Sequence, residues 1–329
     1  MSSSREPSRY AKYNLDPLLG VATYPLGFHL LVLCGTELPL RIMMRNRGFQ
    51  RLRVGRVQYY FHPGRQDRTP KRDRDSRSET GRLPIIFVHG IGVGLIAYMG
   101  IIDHFLESGR PILLPEIPYV SGFRPWQSPN AVLSPSVVTS TMVDMLATHG
   151  FFRGTFVGHS YGTVWLSYMV KYARQAVAAV CFLDPICFGL HYPRLTKQFV
   201  YVRPDPGSIS YMVRTDVIVN WTIQRSFPWA WIILFAEQLE HIPCSVFLSE
   251  SDMLVPAAKV EEYMRNHSFP IRDFEAADAA HFSDKAGINV AVFRGDCHGG
   301  WTERPSATSP KIAQCVEILT SRAEEWKES

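Results

Sequence analysis

Cysteine is sparse and unpaired in pattern. Six occur in 329 residues, at positions 34, 181, 187, 244, 297 and 315, and no two are spaced as CxxC. Cys181 and Cys244 lie in or beside apolar runs. This excludes a disulfide framework and describes reduced, structural thiols, which favours an intracellular setting. A dominant charge is missing too. Thirty-five basic side chains face 30 acidic ones, for a net charge of +5, and the signs are interspersed. Without a basic stripe, nucleic-acid binding lacks its electrostatic footprint, and no nucleic-acid partner is expected. No internal repeat is present. A hydrophobic fraction of 46% builds a core without metal or disulfide staples; the serine chemistry read below needs no metal and no organic cofactor, and none is expected. A cleaved secretory leader is not expected either, because the first apolar region starts late and lacks a small-residue cleavage site.

What is present begins with a long apolar run. Residues 1–17 are polar and are expected to form a flexible N-terminus. "LLGVATYPLGFHLLVLCGT", Leu18 to Thr36, then runs for 19 residues without a formal charge. That reaches the rough threshold of about 18 for a spanning helix. Gly20, Pro25, Gly27 and His29 interrupt it. Basic residues stand on both sides, so charge bias sets no orientation. Residues 18–44 are expected to be a hydrophobic arm, packed on the domain or associating with a membrane interface. In 45–82, "FQRLRVGRVQYYF" alternates in places and predicts one or two strands. "GRQDRTPKRDRDSRSETGR", residues 64–82, predicts a charged, exposed loop.

From Leu83 the pattern becomes regular. Short apolar runs ("LPIIFVHG", "PILLPEI", "GTFVGHS", "AVAAVCFLDP") alternate with helix-spaced runs such as "SVVTSTMVDMLATHG" and "YGTVWLSYMVKYARQ". Strands that are apolar throughout and separated by helices predict a mainly parallel sheet covered on both faces. The alternation stops at Asp184 and resumes with "CSVFLSE", "PAAKVEEYMRN", "INVAVFRG" and "PKIAQCVEILTSRAEEW". The organisation expected is a core in two parts, 83–184 and 243–329, with an aromatic-rich cap insert at 185–242.

The chemistry concentrates in "FVGHSYGTVW". Gly158, Ser160 and Gly162 stand at alternate positions where a strand gives way to a helix, the setting of a nucleophile elbow. Larger side chains at Gly158 and Gly162 would strike the neighbouring backbone, and Ser160 would project its hydroxyl above the sheet. A serine hydroxyl needs a base, and the base an orienting acid. In this architecture the chain order is Ser, acid, His. Asp252 follows the strand of "VFLSESDMLVP", and His298 follows that of "INVAVFRGDCHGGW". Both loops open on the same sheet edge as Ser160. An oxyanion pocket needs two donors. The Tyr161 N–H is one. The loop "FVHGIGVG" offers Ile91, with Gly92 next.

These four motifs, in this order on these elements, resemble the α/β-hydrolase superfamily from about Leu83 to the C-terminus. The resemblance implies an α/β-hydrolase fold, a Ser160–Asp252–His298 triad and a lid made by the insert. It brings no substrate.

Rivals remain for several roles. Asp184 also ends a strand and is the alternative acid. His281 precedes the last strand and suits packing better than catalysis. His89 and His159 flank the site as orienting groups, with His89 also a candidate for the pocket wall. Cys297 adjoins His298 but has no elbow. Gly92-Val-Gly94-Leu-Ile-Ala97, with Glu116 downstream, matches a dinucleotide fingerprint, yet that reading leaves Ser160, Asp252 and His298 without a role. In the insert, Trp221, Trp229, Trp231 and Phe235 either form core or line an apolar pocket. An apolar roof over a serine favours acyl chains. The function expected is therefore hydrolysis of an ester or thioester, with a small-molecule or lipid-like substrate delivered from a membrane. The alternatives are acyl transfer by the same triad and an idle hydrolase-fold binding protein.

Overall fold

Apolar runs with no polar face have to be buried on both sides, and this decides the architecture. The computed structural model describes residues 18–65, 82–124, 131–190, 192–283 and 287–325. The expected flexible N-terminus and most of the expected charged loop fall outside these residues. The strands are β1 Gln50–Val54, β2 Val57–His62, β3 Ile85–Val88, β4 Ile112–Pro115, β5 Gly154–His159, β6 Val177–Leu183, β7 Cys244–Ser249, β8 Ile271–Asp273 and β9 Ile288–Phe293. They form one sheet in the order β1-β2-β4-β3-β5-β6-β7-β9-β8. β2 runs antiparallel to both β1 and β4, and every other pairing is parallel.

Strand period sorts each apolar run between two cores. In β3, Ile86 and Val88 enter one hydrophobic cluster while Ile85 and Phe87 enter the other. In β6, Val180 and Phe182 face the first and Cys181 and Leu183 the second. Helices α3 (Pro135–Thr148) and α4 (Gly162–Tyr172) supply the first cluster. Helix α2 (Met99–Glu107) and the C-terminal helix Pro305–Glu325 supply the second.

Three elements differ from expectation. β8 is three residues long and carries no apolar run; its place comes from backbone pairing with β9, which side-chain pattern does not report. The C-terminal helix begins at Pro305, ahead of the expected start, and its first turns are anchored by the buried Thr308, whose hydroxyl donates to the carbonyls of Trp301 and Arg304. α4 stops at Tyr172, because Ala173 leaves helical geometry at φ −142°.

Residues 185–242 leave the sheet between β6 and β7. They carry the helices Ile209–Thr215 and Val217–Arg225. Asp216 joins the two: one carboxylate oxygen caps Val217–Arg225 by accepting from Ile218 and Val219, and the other accepts from the Phe123 N–H at 3.2 Å. The arm forms helix α1, Leu26–Asn46, which continues ten residues beyond the uncharged run. It is long and apolar enough to cross a membrane, with a mean hydropathy of 1.4. One side packs on the domain through Leu40 and Met44, and an Arg47–Asp103 ion pair fixes its end. Leu26 and Leu30 are exposed in its first turns, and Leu31, Leu38 and Ile42 remain exposed along another face.

The glycines of this fold divide sharply. A Cβ on Gly162 would lie 2.1 Å from the Val88 carbonyl oxygen, whereas one on Gly35 in α1 would meet nothing within 4 Å. Gly162→Ala should therefore cost about 3 kcal/mol or more through backbone displacement, and Gly35→Ala should gain up to about 1 kcal/mol from helix propensity. Urea denaturation of the two variants checks this; equal stabilities would contradict the packing described.

Candidate active site

The site is assembled at the carboxyl ends of β3, β5, β6, β7 and β9. Ser160 follows β5 at once and sits at φ 51°, a left-handed backbone that non-glycine residues seldom adopt. The turn is possible because its neighbours lack side chains. A Cβ on Gly158 would meet Leu166 at 2.8 Å, and Gly162 lies against the Val88 carbonyl. Gly90 is equally tight, since a Cβ there would approach both the His159 ring and the Ser160 Cβ at 3.0 Å.

Three side chains from distant segments meet in series. His298 Nε2 lies 2.7 Å from Ser160 Oγ, and His298 Nδ1 lies 2.6 Å from Asp252 Oδ2. Asp252 is buried, and its other oxygen accepts the N–H groups of Leu254 and Val255 at 2.7 and 2.9 Å. With both oxygens occupied, Asp252 holds the imidazole with its proton on Nδ1. Burial disfavours a charged His298, but the charge and hydrogen bond of Asp252, aided by Asp184, outweigh it and raise the imidazole to about 8.

Asp184 does not hydrogen-bond the His298 ring. Its carboxylate accepts from the Ser249 N–H at 2.9 Å and the Gly299 N–H at 2.8 Å. It thereby ties the ends of β6 and β7 to the loop that carries His298. Asp184, Asp252 and His298 offer ligand atoms within 4.8 Å of one another. Those atoms are already engaged in the hydrogen bonds just given, so the cluster works as a charge network and not as a vacant metal cage.

The loop after β3 is fixed from two sides. His89 is fully buried; Nε2 accepts the Ile117 N–H at 2.9 Å and Nδ1–H donates to the Gly90 carbonyl at 2.8 Å. Burial, offset only in part by that carbonyl, lowers His89 to about 4 and keeps it neutral. The Tyr98 hydroxyl accepts the Gly90 N–H at 3.1 Å and pairs with His159 Nδ1 at 2.7 Å. His159 Nε2 stands 3.7 Å from Asp184, too far for a hydrogen bond. The backbone N–H groups of Ile91 and Tyr161 have no acceptor among the described residues.

Several expectations require correction. Gly92 N–H donates to the Val120 carbonyl at 3.1 Å, so it is not free to bind an oxyanion. His89 has both ring nitrogens engaged within the loop, so it offers no free polar atom to a pocket. Phe235 is 49% exposed and Trp231 56% exposed, which places both outside any buried roof. Trp221 is half-buried in Val217–Arg225, outside that helix's buried set. From the insert, Phe227 reaches the elbow, its ring 5.8 Å from that of Tyr161, and Phe199 and Trp229 lie at 5.5 and 4.2 Å from Phe227. Tyr98, Phe199 and Phe227 were missed, and no spacing signal marks them. The fingerprint acid Glu116 is buried in ion pairs with Arg51 and Arg124 and faces no nucleotide site. His281 is buried, with Nε2 3.0 Å from the Val290 carbonyl, a packing role. Cys297 is exposed beside the site.

No protein-family model matches the chain, and no curated protein does. Solved structures do. An esterase from Thermogutta terrifontis superposes with a TM-score of 0.54 at 13% identity, over 82% of this chain and 99% of that one. A bacterial membrane phospholipase A gives 0.53 at 13%, over 89% and 97%. An epoxide hydrolase from Vigna radiata gives 0.51 at 12%, over 82% and 97%. With the sheet order and the strand-to-helix elbow, these likenesses establish the α/β-hydrolase fold. At such identities they carry the fold alone.

The raised His298 has a directional consequence. A histidine whose folded value exceeds its unfolded one stabilises the protein fully below about 6.5. That contribution is lost as pH rises through the folded value of about 8. NMR titration should place His298 near 8, and Asp252→Asn should bring it down. A titration unmoved by Asp252→Asn would show that another group sets it.

Proposed function

We propose that this α/β-hydrolase fold serves a serine hydrolase of esters or thioesters, with an apolar or lipid-like acyl group, working through a covalent acyl-enzyme. The observation that carries the reading is the unbroken series Asp252–His298–Ser160, with hydrogen bonds of 2.6 and 2.7 Å. Ser160 Oγ attacks the carbonyl carbon as its proton passes to His298 Nε2. The imidazolium so formed is held by Asp252. Negative charge develops on the carbonyl oxygen, and the unpaired N–H groups of Tyr161 and Ile91 are the donors assigned to it. His298 returns the proton to the leaving alcohol or thiol, and the C–O or C–S bond breaks. Water then repeats the sequence on the acyl-enzyme and frees the acid.

Substrate class is read from the cap. Phe227, Phe199 and Trp229 place apolar surface beside Tyr161, the residue after the nucleophile. Arg194 donates to the Asp252 carbonyl at 3.0 Å, and Thr222 donates to the Tyr119 carbonyl at 3.0 Å, so the insert is attached to the loops around the site. Ser160 is only 8% exposed, which suits a substrate that enters beneath a cap. The exposed stripe of α1 is proposed to rest in a membrane interface and bring the site to such substrates. The same near-closed serine favours a second reading, transfer of the acyl group to an alcohol, because transfer needs water kept out.

A fluorophosphonate probe should label the native chain and not Ser160→Ala, and that variant should lose about 10⁴-fold or more in turnover of a test ester. An unlabelled, folded native chain would instead fit an idle binding protein. Because His298 must be neutral to accept a proton, kcat/KM should rise with pH through the value of about 8 that its surroundings impose. A profile flat from about 7 to about 9, roughly a unit either side of that value, would exclude His298 as the base. Phe227→Ala should shift acyl preference between short and long chains, and product analysis with added alcohol separates hydrolysis from transfer.

A further inference from the structure

A cavity of about 600 Å³ lies away from Ser160. It lies between α1 and the β1–β2 hairpin, floored by the segment that follows β4. Its walls carry five arginines: Arg41, Arg51, Arg53, Arg56 and Arg124. Two carboxylates accompany them, Glu37 and Glu116. Glu37 binds Arg41, Arg51 and Arg124 at 2.9, 3.3 and 3.2 Å, and Glu116 binds Arg51 and Arg124 at 3.1 and 3.5 Å. Two acids are thus shared among three arginines and hold them in place. Arg53 and Arg56 have no carboxylate partner among the described residues; Arg53 Nε donates only to the Gly55 carbonyl, at 2.9 Å. The cavity therefore keeps an excess of three positive charges in a concave wall. Clustered guanidinium groups repel one another, and an anion with several oxygens relieves that repulsion through forked hydrogen bonds.

The apolar surroundings choose among anions. Leu33, Cys34 and Leu38 of α1 form part of the same wall. Leu38 also belongs to the exposed stripe of Leu31, Leu38 and Ile42, whose members are 52 to 68% exposed. Basic cavity and apolar stripe share one helix edge. A phosphate seated among the arginines would have its acyl chains continue along that stripe, the arrangement of an interfacial helix on an anionic surface. A soluble phosphate would use the arginines but leave the leucines without a role.

We infer that this cavity is a binding site for the phosphate-bearing headgroup of an anionic phospholipid, separate from the serine site and presented by the membrane on which α1 lies. The proposal does not rest on Ser160 acting as a nucleophile. The test is co-sedimentation of the full chain, at one fixed salt concentration, with phosphatidylcholine vesicles and with the same vesicles containing phosphatidic acid. The native chain should prefer the phosphatidic acid vesicles. Arg53→Ala with Arg56→Ala should weaken binding to them by roughly 30-fold, from about 1 kcal/mol per arginine near a charged surface. The same variant should bind phosphatidylcholine as before and retain turnover of a short soluble ester, which shows that it folds. Ser160→Ala should keep the native preference, so failure of the hydrolase reading is told apart from failure of this one. No preference in the native chain, or an equal preference in the double arginine variant, overturns the site. Calorimetry with glycerol 3-phosphate separates the sources: binding that is lost in the double variant, without any vesicle preference, assigns the cavity to a soluble phosphate and overturns the lipid.

Discussion

Everything at the site depends on one strained residue. Ser160 holds φ 51° between a strand and a helix that could not otherwise approach so closely. Such a backbone costs about 1–3 kcal/mol and persists only where its surroundings leave no alternative. Here the surroundings are the bare Cα of Gly162 against the Val88 carbonyl and that of Gly158 against Leu166. Asp184, at the end of the neighbouring strand, is likewise left-handed at φ 45°. Two adjacent strands thus end in constrained turns that aim a hydroxyl and a carboxylate over the same sheet edge.

Charge is then distributed among three histidines by their surroundings. His89 spends both nitrogens on backbone and stays neutral. His159 is lowered by burial, with Asp184 only partly opposing, and supports the loop after β3 through Tyr98. His298 alone has a carboxylate at hydrogen-bond distance and is raised. One residue type therefore yields two scaffolding groups and one group able to exchange a proton near neutral pH. Asp184 serves the third from behind, through the Gly299 N–H, without touching its ring.

The insert and the arm are joined to this frame, and to each other. Leu19 donates to Gln224 at 2.9 Å and Ala22 to the Thr215 carbonyl at 2.9 Å, so the chain before α1 is tied to the cap helices. The segment 117–124 receives the insert through Thr222 and Asp216 and pairs with the loop after β3 through Gly92. Arm, cap and loop thus form one connected layer around the carboxyl edge of the sheet.

The sequence alone determined the parallel core and the spot where a hydroxyl, an imidazole and a carboxylate would meet. Buried strands, the elbow glycines and chain order are local or one-dimensional properties, and steric exclusion makes them readable along the chain. Pattern could not give β8, because three residues paired through backbone leave no side-chain period. Nor could it remove Gly92 from the oxyanion donors or replace Phe235 by Phe227 at the elbow. Those outcomes rest on which backbone groups are already paired and which rings are covered, and both are settled only when segments more than a hundred residues apart come into contact, as Ser160 and His298 do. The arginine cavity is of the same kind: its charges are dispersed along the chain from Arg41 to Arg124 and gather only when α1 folds down beside the hairpin.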